Sequence, residues 1–331
     1  MAVCRTGDRA CLVITRDEWE CAPHQLKYLF GEYCFYTEGF QAAELTTHVS
    51  RITGSLEEIT PFVLPLLEEH GAAVIPAYPI STRPRWLKIT RYYLRYVPEV
   101  TVYYLIDPGQ SFDSYMQQIP GKVRHELRRK LRRFAEYSGG QIDLRIYQSG
   151  QEAQTFERFA QAVSRKTYQH RLLGVGLPDT SQFRADLIDR ASRGTMRGYL
   201  LFYQGTAIAY AYAITRGDCL QFRCIGYDPS WRELSAGIVL TYHALRSAIG
   251  ERRFAIIDFG FGEARYKRDF ATGSLPCATV FLFRPTSRNL LTVLSHRACI
   301  TASDYCIDLT KWLGIKEPLK QYFRASADTI G

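Results

Sequence analysis

The stretch that decides the fold runs from Cys219 to Gly237 and reads CLQFRCIGYDPSWRELSAG. In its first part, Leu, Phe and Cys alternate with Gln and Arg, which is the pattern of a half-buried β-strand. The Asp228-Pro229 pair then predicts a turn. Apolar residues at helical spacing follow Gly237, so the stretch predicts a strand that passes through a loop into a helix.

Two more apolar strands precede this stretch, at 197–203 and 206–215, and short glycine-containing turns separate them. After it come a helix, a strand at Phe254–Asp258, a short helix at Glu263–Phe270 and a strand at Ala278–Phe283. A strand-helix-strand crossover after an antiparallel meander predicts an α+β fold, a mixed sheet with a central parallel pair.

The predicted parallel pair consists of Cys219–Tyr227 and Phe254–Asp258. We expect these two strands to lie side by side and to splay at Gly226–Asp228. The helix between them is predicted to bury one apolar stripe against the sheet. That stripe is formed by Ile238, Tyr242, Leu245 and Ile249.

Three segments together resemble a known family. They are KVRHELRRKLRRF at 122–134, YDPSWRELSAGIVLTYHALRSAI at 227–249 and IIDFGFGEARYKRDFA at 256–271. They resemble the GNAT superfamily of acyltransferases and, within it, the FemAB-like and CelD/BcsL-like acetyltransferases. The resemblance covers about half of the chain. It implies a GNAT-type mixed sheet and transfer of an acyl group.

The resemblance implies that acyl-CoA binds at the loop before the helix, through Arg232, Leu234, Ser235, Ala236 and Gly237. Free backbone N–H groups at a helix start and the helix dipole favour a pyrophosphate, and an arginine adds a charge-assisted contact. The family usually has Gln/Arg-x-x-Gly-x-Gly/Ala here, and in this chain Ser235 replaces the first glycine. The alternative is that Ser235 is an ordinary N-cap.

The resemblance also places the chemistry near Asp258, Tyr266 and Lys267. Tyr266 is expected to protonate the departing thiolate, and Asp258 to deprotonate or orient the incoming amine. Lys267 is expected to pair with Asp258 or with phosphate. The alternatives are a structural Asp258–Lys267 ion pair and a packed Tyr266 ring. Direct attack of an amine on a bound thioester needs no protein nucleophile.

The net charge of +9 is concentrated in residues 122–133, where seven Lys/Arg stand against one Glu, a local excess of +6. This density indicates an anionic partner, such as CoA phosphates, RNA or a membrane surface. An apolar stripe predicts one helix over the same residues, so a solvated helix face is the alternative. The stripe consists of Val123, Leu127, Leu131 and Phe134.

Three functions therefore remain open. The first is an N-acyltransferase that uses acyl-CoA and a small-molecule or peptide amine as acceptor. The second is a Fem-like aminoacyltransferase that takes its donor from aminoacyl-tRNA, held by the basic helix 122–133. The third is a non-enzymatic binding module built on the same helix.

The remaining expectations concern organisation. We expect an N-terminal α/β lobe at 1–118, for which a GNAT-like fold is one possibility, a GNAT-like domain at 119–285 and a helical tail at 286–331. The nine cysteines lack zinc-ligand spacing, which predicts reduced thiols and no metal. No apolar run is long enough for a membrane span, and we expect a cytoplasmic protein.

Overall fold

The chain divides into two compact units. The first combines Met1–Thr101 with Leu275–Gly331, and the second is Val102–Ser274. The computed structural model describes residues 16–31, 33–52, 55–167 and 176–312. A strand expected at Cys11–Thr15 lies outside the described residues.

Within its described residues, the first unit has a long hairpin, two α-helices and further strands on one sheet. In chain order its elements are β1 (Trp19–Phe30), β2 (Tyr33–Leu45), α1 (Leu56–His70), β3 (Ala72–Pro79), β4 (Leu87–Ile89), β5 (Leu94–Tyr96), β12 (Gly273–Phe283, most of which belongs here) and α8 (Ser287–Trp312). Strand β2 pairs with β1 antiparallel and with β3 in parallel. Strand β12 pairs antiparallel with both β3 and β5, so the C-terminal segment completes this sheet.

Apolar residues at helical spacing between Ile59 and Leu67 predict a helix over Leu56–His70 with Gly71 as its C-cap, and helix α1 has these bounds and this C-cap. Ser55 and Glu58 form a reciprocal capping box at its start, and Gly71 ends it with a φ of 80°, a conformation that glycine adopts without strain. Val63 lies in the core and is fully buried. Phe62, which the pattern also places in the stripe, is half exposed.

Helix α8 packs on β1 through polar as well as apolar contacts. Val293 is fully buried, and Tyr28 shares a hydrogen bond of 2.9 Å with Ser295. The tail pattern predicts packing through Leu290, Leu291 and Leu294. Leu290 does pack against the core, whereas Leu291 and Leu294 are 69% and 43% exposed. Within the described residues, α8 and the other helices all fall short of the length and apolarity that crossing a membrane requires.

The second unit contains the predicted meander and crossover. Its elements are β6 (Val100–Ile106, at its border), α2 (Phe112–Gln118), α3 (Gly121–Tyr137), β7 (Asp143–Tyr147), α4 (Gly150–Ser164), α5 (Ser181–Ser192), β8 (Met196–Tyr203), β9 (Thr206–Arg216), β10 (Cys219–Tyr227), α6 (Ala236–Gly250), β11 (Ile256–Phe261) and α7 (Arg265–Phe270). Its strands lie in the order β6-β11-β10-β9-β8-β7. Only β10 and β11 are parallel neighbours among the pairs of this unit that the structure describes. The α+β class and the central parallel pair are thus confirmed.

Helices cover both faces of this sheet, and β9 shows how. Ala209, Ala211 and Ala213 face α6, while Tyr210 and Tyr212 face α4 and α5. Small side chains on one side let α6 lie close to the strands. The sequence pattern over residues 183–192 predicts a helix with Leu187 and Ile188 inward. Leu187 is buried, whereas Ile188 is 38% exposed. Burial on both faces explains the almost continuous apolar sequence of these strands.

Candidate functional site

The parallel pair of the sheet is short, and the two strands then separate. Cys219 to Gln221 pair with Ile256 to Asp258, and no parallel pairing of β10 with β11 follows along the rest of these fully described strands. Beyond this point β10 stays with β9, and β11 stays with β6. The splay expected at Gly226–Asp228 therefore begins earlier, directly after Gln221 and Asp258.

Two bulges explain the early separation. The register of β10 against β9 shifts between Phe222 and Cys224, and that of β11 against β6 shifts between Asp258 and Gly260. A bulge bends its strand and increases the local twist. Because both bulges lie just past the last paired residues, they turn the strand ends away from each other and open the sheet there.

Asp258 lies at the opening and is fully buried, and both of its carboxylate oxygens accept hydrogen bonds. Tyr103 Oη donates to its Oδ2 at 2.6 Å, Gln221 Nε2 donates to the same oxygen at 2.9 Å, and the Gly260 N–H donates to Oδ1 at 2.5 Å. Burial and the neighbouring carboxylate raise the pKa of Tyr103, so this phenol stays a donor. Asp258 thus links three neighbouring strands where the sheet opens.

The loop from β10 to α6 is fixed by Asp228. This side chain is 8% exposed and accepts from the Ser230 N–H at 3.0 Å, from Ser230 Oγ at 2.7 Å and from Lys166 Nζ at 2.9 Å. Burial alone raises the pKa of Asp228, but the bonds from Lys166 and Ser230 outweigh it and hold that pKa below its usual value. A charged, locally bonded carboxylate therefore starts the turn.

The start of α6 departs from ordinary serine capping. Ser235 occupies the N-cap position with a φ of 55° and a ψ of 38°, and its side chain makes no capping bond. Its carbonyl accepts from Ile238 and Val239. The N–H groups of Ala236 and Gly237 have no partner within the described residues. The N-cap alternative is therefore not what the structure has. A left-handed residue followed by free amides forms a concave donor set suited to an anion.

The other residues predicted for this loop differ in exposure. Arg232 is exposed, and Leu234 packs partly against the core. A Cβ placed on Gly237 would lie 3.0 Å from Cδ1 of Tyr227. The start of α6 therefore packs closely against the end of β10, and this close packing favours a residue without a side chain at position 237.

Tyr266 and Lys267 lie on α7, just after β11. The Tyr266 ring meets that of Phe259 edge to face at 5.7 Å, and burial raises the pKa of Tyr266 to about 12. Lys267 Nζ donates to the Phe261 carbonyl at 2.8 Å. Burial lowers the pKa of Lys267, and the charge of Asp258 partly offsets this. Lys267 thus donates its hydrogen bond to the backbone of β11, and the charge of Asp258 affects the pKa of Lys267.

The basic helix α3 lies beside the loop. Leu127 and Phe134 of the predicted stripe are buried. Near its C-terminal end, Arg133 Nη2 lies 3.9 Å from Glu233 Oε2. The Tyr137 ring lies 5.9 Å from that of Trp231. The helix pattern is confirmed, and the structure brings its positive charge next to the loop at 232–237.

Sequence reasoning missed several residues that hold this site. Two of them, Tyr103 and Gln221, donate hydrogen bonds to Asp258. The other two are Asp228 and its donor Lys166. Asp228 carries a usable signal, since it is a polar residue directly after a predicted strand, whereas Gln221 is one of the polar residues that alternate within that strand. Tyr103 and Lys166 carry none, because their partners are 155 and 62 residues away in sequence.

Solved structures with a similar chain path come from several proteins. One is the C-terminal domain (DUF2156) of a putative lysylphosphatidylglycerol synthetase from Agrobacterium fabrum, 11% identical, with a TM-score of 0.47 over 85% of this chain and 88% of that chain. FemX is 8% identical, with a TM-score of 0.46 over 84% and 90%. A GCN5-related N-acetyltransferase from Kribbella flavida is 15% identical, with a TM-score of 0.31 over 69% and 65%.

In the second unit the sheet opens at its parallel pair and a helix starts in the crossover between the two strands, as the resemblance to GNAT-type domains predicts. Residues 121–268 match the family model of the acetyltransferase (GNAT) domain. The resemblance to the GNAT superfamily is confirmed by this match, and the chain carries an acyltransferase. No curated protein matches it.

Proposed function

We propose that the protein is an N-acyltransferase that moves an acyl group from an acyl-CoA thioester to an amine acceptor by direct attack. The observation that carries this proposal is the separation of β10 from β11 after Gln221 and Asp258. The connection between these two strands holds the left-handed Ser235 and the start of α6. An opening in the sheet and a donor set for phosphate therefore lie on one strand-loop-helix-strand segment.

The loop fits a pyrophosphate in two ways. Ala236 and Gly237 offer backbone N–H groups, and the exposed Arg232 offers a guanidinium. Ser235 holds the left-handed conformation that a glycine would adopt more readily. The replacement of the family's glycine by Ser235 thus preserves the backbone conformation that a pyrophosphate site at this position requires.

Acyl-CoA supplies an activated acyl carbon, and the chain would supply positioning and protons. In the reaction a C–N bond forms to the amine nitrogen, the C–S bond breaks, and the departing sulfur takes a proton. The amine nitrogen loses one proton as the amide forms, and this proton replaces the one given to sulfur. With a pKa of about 12, Tyr266 keeps its proton at neutral pH and holds it at Oη for that sulfur. Asp258, bonded to Gln221 and Tyr103, is proposed to orient the acceptor side of the opening.

Isothermal titration of the whole protein with CoA and acetyl-CoA tests the donor, followed by mass spectrometry of a panel of amines incubated with both. We expect Tyr266→Phe to keep CoA affinity and to lower the acylation rate by about 10² to 10⁴, the usual contribution of a proton donor. Tyr137→Phe is the matched control, because Tyr137 is exposed beside the loop. If wild-type protein binds neither CoA nor acetyl-CoA, the proposal is wrong.

The aminoacyl-tRNA alternative is favoured by a separate observation. Four basic side chains of α3 form no ion pair with an acidic side chain in the part of the chain that the structure describes: Lys122, Arg124, Arg128 and Arg132. Unpaired charge in a row suits several phosphates of one polymer. If the protein binds tRNA with a steep salt dependence and does not bind CoA, this alternative replaces the first proposal.

A further inference from the structure

A cavity in the first unit is lined by three arginines. Arg83, Arg85 and Arg297 surround a volume of about 340 Å³ beside Trp86. None of them forms an ion pair with a carboxylate within the described ranges of the chain. Glu99 also lines this cavity, so the lining side chains together carry a formal charge of +2. A concave site whose arginines carry this charge and have no carboxylate in an ion pair favours an anion.

A second cavity continues from the first along α8. It has a volume of about 600 Å³ and shares Trp86 and Arg297 with the first. Its remaining wall includes residues spaced by four, four and three along the helix, so they share one face. These residues are Leu294, Ala298, Ala302 and Tyr305. The wall is apolar and open to solvent, and Leu294 and Tyr305 are 43% and 71% exposed.

Arg297 stands between the two cavities and is held in place. Its guanidinium lies 5.7 Å from the centre of the Trp86 ring, and its Nη1 donates to the Pro98 carbonyl at 3.2 Å. An arginine has five N–H donors, and this bond uses one of them. The side chain is therefore oriented before any ligand arrives, which reduces the entropy lost on binding.

We propose that the first unit binds an amphipathic anion, with a carboxylate or phosphate head on Arg83, Arg85 and Arg297 and a hydrocarbon tail along Trp86 and the exposed face of α8. Charge selects the head, because guanidinium matches both oxyanions. The apolar wall selects the tail, because exposed apolar surface of this kind gains free energy when it is covered. Both volumes fall in the range of roughly 300–1,000 Å³ that small-molecule sites occupy.

This site is separate from the acyl-transfer chemistry and does not depend on it. All of its lining residues belong to the first unit. It also explains why the stripe expected to pack the tail is exposed at Leu294. That side chain would contact the ligand tail instead of the core.

Isothermal titration of the full chain with hexanoate, octanoate and decanoate, each below its micelle-forming concentration, tests the proposal. We expect Kd to fall about fourfold for each added CH₂, the equivalent of about 0.8 kcal/mol. Decyl phosphate should bind like decanoate, and the uncharged 1-decanol should bind at least about tenfold more weakly. Equal affinity for 1-decanol would overturn the role of the arginines.

Variants separate head from tail. Arg297→Gln should weaken the binding of decanoate at least about tenfold. Ala298→Trp should fill the apolar cavity and so abolish the dependence of Kd on tail length. Arg288→Gln is the matched control, because Arg288 lies on the same helix and does not line either cavity. Thermal unfolding checks that each variant is folded. If folded Arg297→Gln and Ala298→Trp both bind like the wild type, the proposal fails.

A second arm identifies the source of the ligand. The full chain is sedimented with vesicles of phosphatidylglycerol or of phosphatidylcholine. Binding of monomeric decanoate without vesicle binding supports a free fatty acid or acyl phosphate. Binding only to phosphatidylglycerol vesicles, lost in Arg297→Gln, supports a lipid head group. Failure to bind in both arms overturns the proposal and leaves the acyl-CoA titration of the second unit unaffected.

Discussion

Gln221 Nε2 donates to Asp258 Oδ2 at 2.9 Å across the last rung at which β10 and β11 are paired. Each residue belongs to one of the two strands that part immediately afterwards. The bond therefore fastens the sheet at the point from which it opens. A substitution of Gln221 therefore tests how much this bond contributes to the geometry of the opening.

Replacing Gln221 with Met should loosen this point. The variant keeps the side-chain length but removes a donor to a buried carboxylate, so we expect a loss of about 1.5 to 3 kcal/mol in the free energy of unfolding. Urea denaturation measures it. Arg223→Gln is the control, because Arg223 is exposed and bonds only to Gln221 Oε1 at 3.2 Å in the described structure. Equal stability of the Met variant and the wild type would contradict this role.

Ser235 provides a test of backbone conformation. Its φ of 55° suits glycine and penalises β-branched residues. Ser235→Gly should leave stability unchanged or raise it by up to ~1 kcal/mol, and Ser235→Val should lower it by about 1 to 2 kcal/mol. Under the proposed function, Ser235→Gly also keeps CoA affinity, since the N–H groups of Ala236 and Gly237 stay in place. A Val variant as stable as the Gly variant would show that this conformation is unimportant.

Asp228 predicts a pH dependence of stability. Its folded pKa lies below the unfolded value of about 3.9. Its stabilisation is therefore fully present above that value and is lost as pH falls through the folded pKa. Asp228→Asn should cost about 1 to 2 kcal/mol at pH 7, reduced by the exposure of Lys166, and much less near pH 2. Ser230→Ala, which removes one donor, should give a smaller loss. Thermal unfolding from pH 2 to 7 measures all three proteins, and a pH-independent difference would contradict the assignment.

The basic helix separates the two donor classes. Changing Arg128, Arg129, Arg132 and Arg133 together to Gln should leave CoA affinity nearly intact, because the amides at Ala236 and Gly237 carry most of the proposed contact. A tRNA user would instead lose affinity, and the slope of log K against log salt would flatten by about 0.7 to 0.9 per lost phosphate contact. The control changes four exposed arginines elsewhere in the unit: Arg145, Arg158, Arg193 and Arg253. Salt-steep tRNA binding lost only in the first variant would contradict the acyl-CoA proposal.

Local features of the second unit were predictable from the sequence. Strand β10 begins at Cys219 and ends at Tyr227 as predicted, because alternation and turn residues are properties of neighbours in the chain. The point at which β10 and β11 separate was not predictable from the sequence, because it depends on where each strand bulges against its other neighbour. The bond from Tyr103 to Asp258 was equally out of reach, because nothing in the local pattern near Tyr103 indicates its partner.

In the first unit the pairing of β3 with β12 joins residues about 200 positions apart in the chain. At roughly 5–20 residues per second, a ribosome takes on the order of 10–40 s to reach β12 after it has made β3. The whole of Val102–Ser274 is synthesised in that interval. We therefore expect the acyltransferase unit to fold on the ribosome while the earlier segment waits with apolar surface uncovered. A nonsense mutation just after Ser274 would spare the sequence of the catalytic unit and leave the first unit without the strand that completes its sheet.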